Sequence, residues 1–131
     1  MAAMKRLSIA IPAGGGSEPV ARCLRSLAKL DRLAEVDVLV VAPNMAVAAA
    51  ASNGREWVRI VDANPYDRYA QLRATGLKAA TTPYVALLAE DYTVDGPWLD
   101  RALAATASGA DVVAGGTLPP GCGSTRTWPL P

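Results

Sequence analysis

Short apolar runs alternate with stretches of helical periodicity along this chain, and each change of period is marked by proline or glycine. Leu7–Ile11 is an apolar run closed by Pro12 and three glycines, which predicts a buried strand followed by a loop. Ser17 is the expected N-cap of the next segment, with Pro19 in its first turn. There Val20, Cys23, Leu24, Leu27 and Leu30 recur at helical spacing. Val36–Val41 predicts a second buried strand, rich in β-branched residues and ended by Pro43. The alanine-rich run Ala46–Ala51 fits a short helix or a loop, and Trp57–Val61 predicts a third strand. A helical pattern then runs from Tyr66 to about Ala80, with Tyr69, Leu72, Gly76 and Ala79/Ala80 on one side, and Pro83 ends it. Tyr84–Leu88 predicts a fourth strand, fully buried, that leads directly into Glu90-Asp91. Pro97 opens a helix over Trp98–Ala107, and Asp111–Ala114 predicts a fifth strand. From Gly115 onward the chain is rich in proline and glycine and has no period.

Strand and helix in alternation, joined by short loops, specify an α/β domain with a mostly parallel sheet and helices on both faces. The expected division is one Rossmann-like domain over residues 1–116 and an irregular tail over 117–131. A length of 131 residues is enough for a single core without staples.

Composition narrows the chemistry. The chain is 51% hydrophobic and 19% charged, as a globular protein is. Its 13 basic and 12 acidic residues leave a net charge of +1, so no long-range field draws it to nucleic acid or to an anionic membrane. No apolar stretch approaches the ~20 residues of a membrane span, and the expected location is cytoplasmic. Histidine is absent, which excludes His-dependent zinc sites and Ser-His-Asp triads. Of two cysteines, Cys23 falls on an apolar helical stripe and Cys122 in the tail, so neither a disulfide framework nor a zinc site is expected.

In an open parallel sheet, ligands bind outside the carboxyl ends of the strands. Three segments converge there: Pro12-Ala13-Gly14-Gly15-Gly16, Asp62-Ala63-Asn64-Pro65 and Glu90-Asp91-Tyr92. The glycine loop either lets backbone N–H groups approach an anion or serves simply as a tight turn. Its spacing is neither the dinucleotide fingerprint nor a P-loop. Adjacent carboxylates at the end of a buried strand repel each other unless a cation or hydrogen-bond donors neutralise them. A hard divalent ion needs only one or two protein carboxylates, its shell being completed by water and phosphate. The plainer reading is that Asp91 caps a turn. Arg73 and Arg68, on the preceding helix, could reach a phosphate or pair with Glu90 or Asp91. Trp98 reads as a core anchor of its helix, and Asp31, Arg32, Glu35, Arg55 and Glu56 as solvated surface.

In this order and spacing, four stretches resemble the N-terminal half of a family 2 glycosyltransferase of the GT-A fold. They are Leu7–Pro12, Val36–Val41, the helix segment Leu72–Ala80, and Tyr84–Asp91 with Gly96-Pro97-Trp98-Leu99. The resemblance implies transfer of a hexosyl group, with inversion, from a UDP- or GDP-linked sugar donor, with Mg²⁺ or Mn²⁺. It implies that Asp91 is the metal-binding last aspartate of an Asp-x-Asp motif, with Glu90 standing in for the first carboxylate because Ala89 replaces it. It implies that Arg73 is the arginine of the family's helix and that Pro12 and Ala13 lie against the nucleotide. Gly14 and Asn64 complete the expected donor site.

The departures are equally legible. Ala42-Pro43-Asn44 replaces an acidic base-reading segment, Ala74 replaces an asparagine, and the acceptor-binding half would follow Gly116. No residue is a candidate catalytic base. Two alternatives therefore stand beside the enzyme: a non-catalytic binding or regulatory module acting with a partner, and a nucleotidyltransferase. The second lacks the basic residue expected in Gly14–Pro19. A sheet stopped at this point leaves apolar surface bare, from which a homo-oligomer or a covering partner protein is expected.

Overall fold

The computed structural model describes residues 5–109. Within them four parallel strands form one sheet: β1 (Leu7–Pro12), β2 (Val36–Ala42), β3 (Val58–Asp62) and β4 (Tyr84–Leu87). The helices are α1 (Ser17–Ala28), α2 (Met45–Ser52), α3 (Tyr69–Ala79) and α4 (Gly96–Ala107). A single 3₁₀ turn, Leu33–Glu35, leads into β2. The expected fifth strand, the tail and Cys122 lie outside the described residues.

Strand order is β3-β2-β1-β4. The chain winds outward from β1 to β2 to β3, then crosses back to place β4 on the free side of β1. The register sets Ile9 opposite Val38 and Ile11 opposite Val40, and on the β4 side Ile9 opposite Ala86. Period-two alternation divides the apolar residues between the two faces. Leu7, Ile9, Ile11, Val38 and Val40 join one core cluster with Val20, Cys23, Leu24 and Leu27 of α1, Val47 and Ala51 of α2, and Leu99 of α4. The opposite face carries Ala10 and Val41, against which α3 packs through Gly76. Helices therefore cover both faces, and every residue of β1 is buried.

Several boundaries differ from expectation for local reasons. Ser17 is the first helical residue of α1; the N-cap is Gly16, whose φ of 100° only glycine adopts at little cost, and no side chain caps that end. The alanine-rich run is a helix, because the Asn44 side chain accepts from the Val47 N–H at 3.0 Å. The third helix starts at Tyr69, not Tyr66, because residues 64–67 close a turn of their own. In it the Tyr66 N–H donates to Asn64 Oδ1 at 2.9 Å and the Asp67 N–H to the Asn64 carbonyl at 3.0 Å. Gln71 then accepts from the Arg68 N–H at 2.6 Å and closes the helix start.

The fourth strand is not fully buried. Among the described residues it is the sheet edge on its side, and Leu87 is 46% exposed.

The close approach of α3 to the sheet gives a direct test. A β-carbon at Gly76 would lie 3.2 Å from both Ala10 Cβ and Val41 Cγ2. Gly76→Leu is expected to lower stability by about 1–3 kcal/mol through overpacking, read as a lower urea midpoint at unchanged slope. By contrast Gly54→Ala, whose added carbon meets nothing within 4 Å but whose φ is +67°, should show only the smaller backbone penalty.

Candidate functional site

Reversal of strand order at β1 opens a crevice between the carboxyl ends of β1 and β4, where loops leaving neighbouring strands diverge. A cavity of about 620 Å³ occupies it, walled by Pro12 and Gly15 from the β1 loop, Tyr69 and Arg73 from α3, and Glu90 and Asp91 after β4. That volume lies in the range of small-ligand sites, roughly 300–1,000 Å³. Pro19, in the first turn of α1, also borders it.

The two carboxylates face different environments. Glu90 is 4% exposed, whereas Asp91 is exposed. The Tyr69 hydroxyl donates to Glu90 Oε1, and the backbone N–H of Gly15 donates to the same carboxyl group. Glu90 Oε2 is buried with no partner. Burial therefore pushes the Glu90 carboxyl above the ordinary value of 4.5, against the two hydrogen bonds, which pull it down, and with a further push from neighbouring Asp91. The Tyr69 phenol, donating to that carboxyl, is pushed up to about 12. Beneath the pair lies the Cys23 thiol, driven up to about 12 by burial and then by the two carboxylates; it is an inert core group.

The glycines make this packing possible. A β-carbon on Gly15 would fall 2.5 Å from Glu90 Oε1, and one on Gly14 would fall 3.1 Å from Tyr69 Cζ. The loop is thus built to let Glu90 and Tyr69 close over its backbone.

Of the residues expected at the site, Pro12, Arg73, Glu90 and Asp91 line the cavity, and Gly14 supports the Tyr69 ring. Ala13 lies in the loop, but its methyl group is in the core and its N–H donates to the Val41 carbonyl at 3.0 Å. Asn64 stands apart, exposed and committed to the turn before α3. Arg73 does not pair with either carboxylate. The ion pairs among the described residues lie elsewhere, and its guanidinium sits 6.0 Å from the Tyr69 ring centroid. Arg68 is the exposed N-cap of α3 and does not border the cavity. Ala42-Pro43-Asn44, noted above as replacing an acidic segment, runs from the last residue of β2 to the N-cap of α2.

Tyr69 is the cavity residue that the sequence reading passed over, because it reads as one more member of an apolar stripe. The available signal was its spacing: Tyr69 and Arg73 are four apart on one helix and so share a face.

Among the described residues no group of three or more His, Cys, Asp and Glu side chains is placed to hold a metal ion. A divalent ion that takes most of its shell from phosphate and water needs one exposed carboxylate, and Asp91 fits that requirement. Glu90, turned inward with Oε1 engaged, does not fit it as placed.

The family model for Glycosyl transferase family 2 matches residues 8–131. The chain belongs to that family. The crystal structure of S. aureus TarS has the same fold, with a TM-score of 0.65 over 88% of this chain at 20% sequence identity. The aligned part is 23% of the TarS chain, so this sequence spans about a quarter of it. No match was found among curated proteins. The family and the GT-A-like α/β architecture are those expected from the sequence. Glycosyltransferases of this family generally use divalent metals. No described helix is long and apolar enough to cross a membrane.

Two measurements test the buried carboxyl. Because the native state holds the Glu90 proton more tightly than the unfolded chain, its stabilisation is complete below pH 4.5 and is lost as pH rises through the raised native value. Glu90→Gln, which cannot ionise, should therefore gain in melting temperature relative to wild type as pH increases from about 4.5 to 8; a pH-independent difference would contradict the assignment. Tyr69→Phe removes a donor from a buried acceptor and is expected to cost about 1–2 kcal/mol by chemical denaturation.

Proposed function

We propose that the crevice between β1 and β4 binds the nucleoside diphosphate part of a sugar donor, and that the chain is the donor-binding portion of an inverting hexosyltransferase. The observation that carries this reading is the exposure of Asp91 at the end of β4, across a cavity from Gly15 and Arg73. A negative diphosphate entering there meets the Arg73 guanidinium and lies close to the first turn of α1, which Pro19 places at the cavity and whose N–H groups no side chain caps. Asp91 is the residue that would hold Mg²⁺ or Mn²⁺, and such an ion, when bound, neutralises charge on the diphosphate as it departs.

Glu90 has a supporting role in this reading. Locked by Tyr69 and Gly15, it shapes the floor of the cavity instead of competing with the phosphate for the cation. The donor is UDP- or GDP-linked by the family resemblance, and Tyr69, 44% exposed beside the cavity, offers an aromatic surface for it.

One observation favours a second reading, a binding module that works with a partner. The side chain available to replace the first motif carboxylate is sealed from solvent, and with Asp91 assigned to the ion no other exposed carboxylate lines the cavity to deprotonate an acceptor hydroxyl.

Thermal shift with UDP- and GDP-glucose, each with and without Mn²⁺, tests donor binding. Saturating ligand at about 100 times Kd stabilises by about 2.7 kcal/mol, a melting shift of several degrees in a chain of this size. The shift should require Mn²⁺, vanish in Asp91→Ala and weaken about tenfold in affinity in Arg73→Ala. No shift with any donor and metal pairing would overturn the proposal. Donor hydrolysis that depends on Asp91 would decide for the transferase over the module.

A further inference from the structure

A second concavity, of about 730 Å³, lies one helical turn further along α1 and has a different chemistry. Its cationic lining comes from Arg22 and Arg25 of α1, from Lys29 at the C-cap of that helix and from Arg55 of the α2–β3 connection; Asp95 is the one carboxylate among its lining residues. Four cations against one carboxylate is a sharp concentration in a chain whose net charge is only +1.

Position explains how they meet. Arg22, Arg25 and Lys29 stand at i, i+3 and i+7, and Lys29 caps α1 in helical conformation, so the three share one side, where like charges repel. Arg55 arrives from a separate element. Two of the four are held in place: Arg25 Nη2 contacts Glu18 at 3.1 Å, and Arg55 Nη1 donates to the Ala50 carbonyl at 2.9 Å. Arg22 and Lys29 have no ion-pair partner among the described residues. The opposite wall is residues 93–96, pinned to α1 because Ser26 Oγ accepts from the Val94 N–H at 3.1 Å while donating to the Cys23 carbonyl at 2.6 Å.

Three guanidinium groups and an ammonium converging on one groove, two of them unpaired, match the charge and the fork geometry of phosphate oxygens. We infer that this groove is a second ligand site, for a phosphate-bearing ligand other than the donor diphosphate. The same segment links the two sites: Asp91 and Tyr92 border the first cavity, and Thr93 and Val94 border the second. A phosphate held by Arg22 and Lys29 would therefore rest against the loop that carries Asp91.

Calorimetric titration with inorganic pyrophosphate in metal-free, low-salt buffer tests the groove apart from the donor site, whose phosphate binding requires the divalent ion. Wild type should bind, with affinity falling as salt rises. The Arg22→Gln/Lys29→Gln double variant, confirmed folded by circular dichroism, should lose roughly tenfold or more in affinity. Co-sedimentation with phosphatidylglycerol vesicles forms the second arm: sedimentation that the double variant loses, without pyrophosphate binding, would assign the phosphate to a lipid headgroup. Binding of neither probe, or binding unchanged in the double variant, would overturn the inference.

Discussion

Everything in this structure is referred to β1. It is the strand buried along its whole length, with β2 hydrogen-bonded on one side and β4 on the other, and helices packed over both faces. A strand so enclosed can carry only small or apolar side chains, and Leu7-Ser8-Ile9-Ala10-Ile11-Pro12 meets that demand. Its one hydroxyl, Ser8, is satisfied by Thr82 at 2.6 Å. Because β4 returns to the free side of β1, the loops leaving these two strands part at their carboxyl ends. The crevice is the space that this topology cannot fill.

Two local constraints turn the crevice into a site. Gly76 has no side chain, so α3 lies close enough to the sheet to bring Tyr69 and Arg73 to the cavity. Gly15 has none either, so the Glu90 carboxyl can rest on loop backbone. Together they place one carboxyl inside and leave the next one out. Glu90 thereby sits in a setting that disfavours its charge, by burial first and by the neighbouring Asp91 as well. Asp91 is left as the exposed carboxylate that borders the cavity.

Family membership and fold were legible because they rest on periodicity and order. Apolar runs of five or six residues, helical stripes between them and proline or glycine at the joints survive any detail of packing. The misplaced boundaries, at Ser17 and at Tyr66, arose where a loop satisfied its own backbone groups. Gly16 supplied the conformation that a capping serine was expected to supply, and Asn64 and Asp67 closed a turn where a helix was expected to begin. Such choices depend on hydrogen bonds a few residues long, which the apolar pattern does not record. The expectation of a fully buried fourth strand failed because an apolar run looks the same at the edge of a sheet as at its centre.

From its sequence alone this protein is a family 2 glycosyltransferase domain of α/β architecture, with Glu90 and Asp91 at the end of a strand and a glycine loop after the first. The succession of strands and helices follows from residue type and period, so the sequence suffices for it. Only the tertiary structure decided that the two carboxylates have opposite fates, that Tyr69 holds one of them, that Arg73 lies over a ring and not beside a carboxylate, and that Asn64 stands apart. Tyr69 and Glu90 are 21 residues apart, and their contact depends on how α3 is set on the sheet. That setting comes from the fit of Gly76 against Ala10 and Val41, a three-body contact that no local pattern encodes.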